Sequence, residues 1–428
     1  MLYDRKTLLT AAFVASLMLT TTLWAEDWPQ WRGPNRDGVW SEAGVLETFA
    51  RDGLKIRWRA AVGAGWSSPV VAQGRVYLTD SHLRRPKAEE RVLCFDETNG
   101  NPLWTHVYEV NYPDWAFTAD QNGCPCATPL VKDGKVYAVG GSGQVFCLDA
   151  RTGKQSWEKR LEKEYEVAVL SCRPSPLLEG NLLIVCIGGK PGACVLALDK
   201  DSGKEIWKAL DDPVSNSSPI IVQAGGKRQL IVWTGESVTS LDPATGKVYW
   251  REQMVTSNND AIPTPVFQKN KLLISGLMYQ LDSDKPVATI LWPASKAPAR
   301  RLLSNTSTPV LQGDHVYSAR SSGQLVCLEA GTGKEIWKAD QVTDLKNGAS
   351  IHLTPNGDAM FLYTDRGELI RAKLTPQGYR EISRARLVEP VYAFGGRKVA
   401  WSPPAYANHH VFARTEKELV CASLAAGQ

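Results

Sequence analysis

One eleven-residue phrase is repeated along this chain. It reads CLDARTGKQSW at 147–157, ALDKDSGKEIW at 197–207, SLDPATGKVYW at 240–250 and CLEAGTGKEIW at 327–337, with a looser copy, CFDETNGNPLW, at 94–104. Its closing Trp falls at 58, 104, 157, 207, 250, 292 and 337, at intervals of 42 to 53 residues. An eighth site, EISRA at 381–385, carries Ser383 in place of Trp. Self-similarity at a fixed period constrains the architecture before any local propensity does, because each copy must build the same unit. A second signature interleaves with the first: a small residue, Pro, then a β-rich run, as in SSPVVAQGRVYL, ATPLVKDGKVYA and STPVLQGDHVYS. PPAYANHHVFA at 403–413 is its eighth version, and the seventh, ASIHLTPNGDAMFLY, has lost the Pro.

Each unit reads as four short strands rich in Val, Ile, Leu, Tyr and Phe, the composition of pleated, half-buried backbone. The Asp-x-x-Thr-Gly-Lys between the third and fourth strands is a tight turn. Its Asp accepts from backbone N–H groups and its Gly takes the left-handed position, so Asp149, Asp199, Asp242 and their glycines are structural. A twisted four-stranded sheet cannot bury both faces alone, and the Trp supplies a wedge against the neighbouring sheet. Units of this length stacked in a circle make an all-β, eight-bladed β-propeller with four-stranded blades. The chain ends just after a third strand, LVCASL, and begins with an orphan Trp strand, LKIRWRAAV at 54–62. The N-terminal strand is therefore expected to complete the last blade, which removes an open edge.

Charge excludes some partners. With 49 basic and 45 acidic residues there is no field suited to nucleic acid. Residues 1–25 read as a signal peptide: Arg5 and Lys6 precede an apolar stretch from Leu8 to Leu23, and a small residue, Ala25, stands at the cleavage point. The expected organisation is signal peptide 1–25, lead-in segment 26–53 and propeller 54–428, in a monomer that is periplasmic or secreted and has no transmembrane segment after cleavage. Of the nine cysteines, Cys94, Cys147, Cys327 and Cys421 occupy equivalent repeat positions and read as small buried strand residues. One disulfide among Cys124, Cys126 and Cys172, and one between Cys186 and Cys194, are open in an exported chain.

The repeated LD-x-x-TGK-x-x-W resembles the tryptophan-docking motif of the pyrroloquinoline-quinone (PQQ) repeat superfamily, and DWPQWRGPNRDG at 27–38 resembles the start of exported PQQ-like repeat proteins. The resemblance implies one of two roles. BamB-like scaffolds of outer-membrane protein assembly bind protein and carry no cofactor. Quinoprotein alcohol dehydrogenases hold PQQ and calcium in the central channel. The docking motif serves both branches, so it identifies a fold and not an activity.

The long connections, 79–91, 106–126, 256–262, 294–307 and 385–402, all belong to one side of the wheel, where function is expected. Aligning the units three residues before each Pro predicts a ring around the channel mouth: Trp66, Cys126, Arg173, Asn216, Ile262, Thr306 and Trp401, with Gly348 as the seventh blade's equivalent. Trp66, Arg173, Asn216 and Trp401 are the candidate ligand-binding residues. The two indoles, from adjoining blades, would stack a flat molecule, and Arg173 would take a carboxylate. No catalytic or metal-ligating residue is assigned. The chain lacks a Gly-x-Ser-x-Gly elbow, a phosphate loop and a His-Glu-x-x-His helix, and also the vicinal Cys-Cys pair of quinoprotein dehydrogenases. The expectation is a non-catalytic scaffold without a cofactor, binding an envelope protein or other macromolecule through the long-loop face. A PQQ- and calcium-dependent dehydrogenase is the alternative.

Overall fold

Strand pairing follows the repeat. The computed structural model describes residues 26–85, 87–117, 124–256, 261–293 and 303–427; the expected signal peptide lies outside them. Eight four-stranded sheets form, each ordered by sequence except the last. The first blade comprises Val70–Ala72, Arg75–Arg84, Lys87–Asp96 and Pro102–Val110. In the eighth, Ile56–Ala61 takes the outer edge and pairs antiparallel with Glu418–Ser423, Trp58 opposite Cys421 and Arg59 opposite Val420. The circle is thus closed by hydrogen bonds between the two ends of the propeller, and no blade is left with three strands.

Register explains the recurring cysteines. Cys94 lies between Tyr77 on one neighbouring strand and Trp104 on the other. Tyr137–Cys147–Trp157 and Tyr317–Cys327–Trp337 repeat the arrangement. Two large rings can meet across a sheet only over a small residue, and the Tyr–Trp centroids lie 5.9, 6.4 and 6.1 Å apart in the three blades. Ala197 and Ser240 fill the same slot elsewhere. Burial pushes the Cys94 thiol up to about 12, which keeps it unreactive. None of the nine cysteines is in a disulfide.

Each indole is also a directional link between blades. Trp58 Nε1 donates to Glu97 O at 2.8 Å, Trp104 to Ala150 O at 3.1 Å, Trp157 to Lys200 O at 3.0 Å, Trp207 to Pro243 O at 3.1 Å, Trp292 to Ala330 O at 2.8 Å and Trp337 to Thr375 O at 2.7 Å. Every acceptor sits in the third-to-fourth turn of the next blade. In five of the six the turn's glycine lies flat on the ring: a Cβ at Gly203 would stand 2.7 Å from Trp157, and Gly203 has φ +71°; the turn that accepts from Trp337 keeps the hydrogen bond without this contact, since a Cβ at its Gly378 would meet nothing within 4 Å. The glycine therefore serves twice, for backbone handedness and for close approach. Trp250 departs from the rule, donating to Gln229 Oε1 within its own blade, and the turn it would meet, LDSDKPV, has no glycine.

The segment before the propeller is not a tether. Trp28 pairs with Val71, Pro29 O accepts from Val131 N–H, Trp31 Nε1 donates to Thr264 Oγ1 at 2.8 Å, and Arg36 donates to the carbonyls of Pro176 and Pro219. Trp40 is fully buried against Phe361 and Tyr406. Where blade seven lacks its Trp, Ser383 Oγ accepts from Phe49 N–H at 3.0 Å, and Phe49 is buried beside it. The lead-in thus crosses the channel beneath its mouth at residues 28–38 and leaves it on the short-turn side. It runs out over His409, whose backbone N–H donates to Glu42 and whose ring meets Ala43 O. The His409–His410 turn is therefore occupied in seating the lead-in.

One expected loop is a strand pair. Residues 79–84 and 87–91 extend the hairpin Arg75–Arg84/Lys87–Asp96, and Arg91 forks onto the buried Asp80 carboxylate at 2.7 and 2.6 Å. The bidentate pair satisfies the charge that alternation turns inward.

Trp207→Ala removes a buried ring and an inter-blade hydrogen bond, and is expected to destabilise the fold by about 3–5 kcal/mol in denaturant titration. Cys147→Ala should be tolerated, whereas Cys147→Leu, which overfills the gap between Tyr137 and Trp157, should cost about 1–3 kcal/mol in the same titration.

Candidate functional site

Just below the ring of links, the Ser or Thr before the Pro makes a girdle across four blade boundaries. Ser68 N–H donates to Thr128 Oγ1, Thr128 N–H to Ser175 Oγ, Ser175 N–H to Ser218 Oγ and Thr264 N–H to Thr308 Oγ1, all at 2.9–3.0 Å. Inner strands have no partner on the channel side, and the hydroxyls satisfy their first backbone donors across the blade boundary. The small residue of the second signature is thus a polar fastener, a role its size alone did not reveal.

Above the girdle lies a cup of about 180 Å³. All seven Pro-aligned residues, Trp66, Cys126, Arg173, Asn216, Ile262, Thr306 and Trp401, line it, and so do Trp28, Trp31, Arg32 and Gly38 of the lead-in, which form its floor. Gly348 does not. Its missing Cβ faces Phe394 at 2.5 Å, and His352, on the strand Ile351–Asn356, takes the blade's place in the wall. The shift accompanies the lost Pro, which elsewhere fixes where the inner strand begins.

The two predicted indoles do meet, but edge to face: Trp66 and Trp401 have centroids 5.3 Å apart at 76°. Tyr392 packs against both at 5.1 and 5.4 Å, and Phe394 against Trp401 at 4.6 Å. No parallel slot separates the indoles, so a flat molecule would lie on the cavity side of one ring rather than between the two. Trp66 Nε1 donates to Glu416 at 3.1 Å, whereas Trp401 Nε1 is buried without an acceptor. Arg173 lies over the Trp66 ring at 5.9 Å and donates Nε–H to Leu170 O at 3.2 Å. Cys126 faces the cup with its sulfur 3.8 Å from that of Cys124, while the Cys172 sulfur lies 3.8 Å from Ile187 O, away from that pair.

The wall's electrostatics are one-sided. Among the described residues its charged side chains are Arg32 and Arg173, with no Asp or Glu. Burial lowers Arg32 to about 10 and Arg36, below the floor, to about 9. His352 Nε2 lies 2.9 Å from Trp401 O, and burial lowers its imidazole to about 4, so it is neutral at pH 7 and donates to that carbonyl. Calcium takes six to eight oxygens, carboxylates prominent among them. Here the oxygen ligands are neutral hydroxyls and one amide beside two guanidiniums, a donor set that does not fit that ion. Among the described residues no group of three or more His, Cys, Asp or Glu is arranged to hold a metal.

The matches to known proteins divide along the two branches. The family model described as outer membrane protein assembly factor BamB matches residues 88–281 and 282–375. The outer membrane protein assembly factor BamB of Burkholderia pseudomallei is 25% identical over 236 residues, covering 52% of this chain and 58% of that protein. The quinoprotein alcohol dehydrogenase PedH of Pseudomonas putida is 32% identical over 157 residues, covering 33% of this chain and 26% of that one. The chain thus spans between about a quarter and three-fifths of the length of these curated relatives. In fold, it overlays on BamB from Moraxella catarrhalis with a TM-score of 0.54 at 16% identity, over 85% of this chain and 96% of that one. The quinohemoprotein alcohol dehydrogenase from Comamonas testosteroni overlays with a TM-score of 0.64 at 16% identity, over 94% and 81%.

Because the folded His352 binds its proton only near pH 4 while the unfolded one does so near 6.5, the unfolded state gains protons first on acidification. The fold should lose up to about 3 kcal/mol of stability between pH 6.5 and 4 through this residue. His352→Gln, which keeps a donor for Trp401 O, is expected to flatten that part of the Tm-against-pH curve; parallel curves would show that the ring is not buried neutral.

Proposed function

The chain belongs to the family described as outer membrane protein assembly factor BamB, and from that premise we propose that it is a non-catalytic scaffold of the cell envelope that docks a protein partner on its long-loop face. The observation that carries this reading is the distribution of exposed apolar side chains. Trp115, Val169, Val255, Leu345 and Phe394 come from five different inter-blade links, each with 37–50% of its surface exposed. All five links open on the face that holds the mouth of the cup. Phe394 packs on Trp401, so this crown runs into the aromatic mouth. Apolar residues spread singly over a surface carry little meaning, but one per link around a common centre makes a patch that a partner can cover.

The opposite face is built differently. Its turns are short and polar, and part of it is covered by the lead-in, with Leu46 N–H donating to Leu424 O. The rim carries its own exposed residues, Leu103, Ile206 and Ile336, each beside a docking Trp on an outer strand. They are too dispersed to make one interface and serve as internal controls. An envelope location agrees with the relatives' role in outer membrane assembly. Among the described residues no helix is long and apolar enough to cross a membrane.

The second reading, a PQQ-dependent dehydrogenase, draws on the match to PedH. Against it stands the wall, whose described residues offer no carboxylate to a calcium ion and include two guanidiniums.

Photo-crosslinking separates these readings in the native host. A photoreactive residue placed at 115 or 345 is expected to give discrete protein adducts, and one at 206 or 336 none. Equal adducts at all four positions, or none at any, would overturn the docking reading. In parallel, purified protein supplied with PQQ and calcium is expected to show no dye-linked alcohol oxidation; turnover with a stoichiometric bound chromophore would establish the dehydrogenase instead.

A further inference from the structure

The channel beneath the cup is filled by a piece of the chain that takes no part in the blades. All eight four-stranded sheets draw their strands from residues 56–423. The lead-in adds only the isolated bridges Trp28–Val71 and Val45–Ala425 to them. Its connection to the first strand is a turn in which Arg51 and Asp52 are both exposed. Residues 28–38 also hold a shape of their own. Gly33 N–H donates to Gln30 O, Arg36 N–H to Gly33 O and Gly38 N–H to Arg32 O, at 2.9–3.1 Å. The Arg32 side chain donates back to the carbonyls of Arg36 and Asp37, and Gln30 Nε2 to Pro34 O. Gly33 lies on the Trp28 ring, where a Cβ would stand 2.9 Å away. A segment ordered by its own bonds loses less conformational freedom on seating than an open one.

What this segment meets is a set of acceptors that the sheets leave over. Inner strands have no ladder partner on the axis side, so carbonyls there need another donor. The Arg36 guanidinium bridges two blades, donating to Pro176 O at 2.8 Å, Ser175 O at 3.4 Å and Pro219 O at 3.1 Å. Pro176 and Pro219 are the prolines of the second repeat signature in those blades. A planar fork with five donors serves several carbonyls at once, which a lysine ammonium on a flexible stem does less well. Trp31 fills a further arc and donates to Thr264 Oγ1 at 2.8 Å, and Val131 N–H donates to Pro29 O at 2.8 Å. Above, Trp28, Trp31, Arg32 and Gly38 become the floor of the cup.

We propose that the channel beneath the cup is a peptide-binding site for a segment bearing tryptophan and arginine, and that residues 26–51 are its resident ligand, held in cis and exchangeable for the same segment supplied in trans. The lead-in is then a plug: its departure takes away the floor of the cup and opens the wheel along its axis. The site is independent of the docking reading, because it lies within the wheel and shares no residue with the exposed crown.

The full chain with a protease recognition sequence inserted between Arg51 and Asp52 tests this. After cleavage the N-terminal fragment is expected to co-elute with the propeller in gel filtration. A dye-labelled synthetic peptide of residues 26–51 should then replace it, read as a rise in fluorescence anisotropy, and unlabelled peptide should compete. A competitor carrying Arg36→Met, which loses the charged hydrogen bonds to two blades, should bind about tenfold or more weakly, and one carrying Trp31→Phe about threefold more weakly. Both substitutions sit in the peptide, so the folding of the propeller is the same in every comparison. Release of the fragment on cleavage, no uptake of the labelled peptide, or equal competition by the unsubstituted and Arg36→Met peptides would each overturn the proposal.

Discussion

The wheel depends on one interaction made at successive blade boundaries: an indole N–H donated to a carbonyl in the next blade's turn, over a glycine that lets the ring lie flat. The hydrogen bond sets direction, and the missing Cβ sets distance. At Gly203, Gly153 and Gly246 an added methyl would stand within 2.7 Å of a Trp ring, so at these boundaries bond and packing come together; Trp337 keeps the bond to Thr375 O without a glycine on its ring. Where the glycine is absent, in the turn after blade five's third strand, Trp250 turns to Gln229. Where the Trp is absent, at Ser383, Phe49 of the lead-in is drawn in. Each exception is local because neighbouring boundaries keep the full interaction.

This division explains what could be read from the residues. Blade number, closure through Trp58 and the mouth ring followed from spacing, since any position repeated at a fixed interval must lie at a fixed radius and height. The signals that failed were those outside the period. His352 enters the wall because its unit lost the Pro that marks the start of the inner strand elsewhere. Residues 79–91 are rich in charge and read as a loop, yet Asp80 and Arg91 neutralise each other across a hairpin. The lead-in was the largest omission: its two Trp–Arg clusters, Trp28 to Arg36, carried no repeat to align with, although two Trp and two Arg in nine residues are costly to leave in water.

The candidate site shows how one architecture serves unlike chemistry. The hydroxyl girdle and the docking indoles belong to the scaffold and are blind to what the channel holds. The wall above the girdle takes its side chains from the links and inner strands of successive blades, outside the repeated docking contacts. Here, among the described residues, they give arginine, indole and amide, a set unlike the carboxylates and other oxygens that calcium takes.

The lead-in makes direct contact with seven of the eight blades through Trp28, Pro29, Trp31, Arg36, Trp40 and Leu46. Trp40 and Leu46 therefore find their partners, Pro355 and Leu424, only after more than three hundred further residues have been made. Synthesis order and assembly order run in opposite senses at this point. The strap must stay unseated while the spokes accumulate, and only when the ring shuts can it drop into the hub, so completion of the wheel and formation of its floor become a single late event.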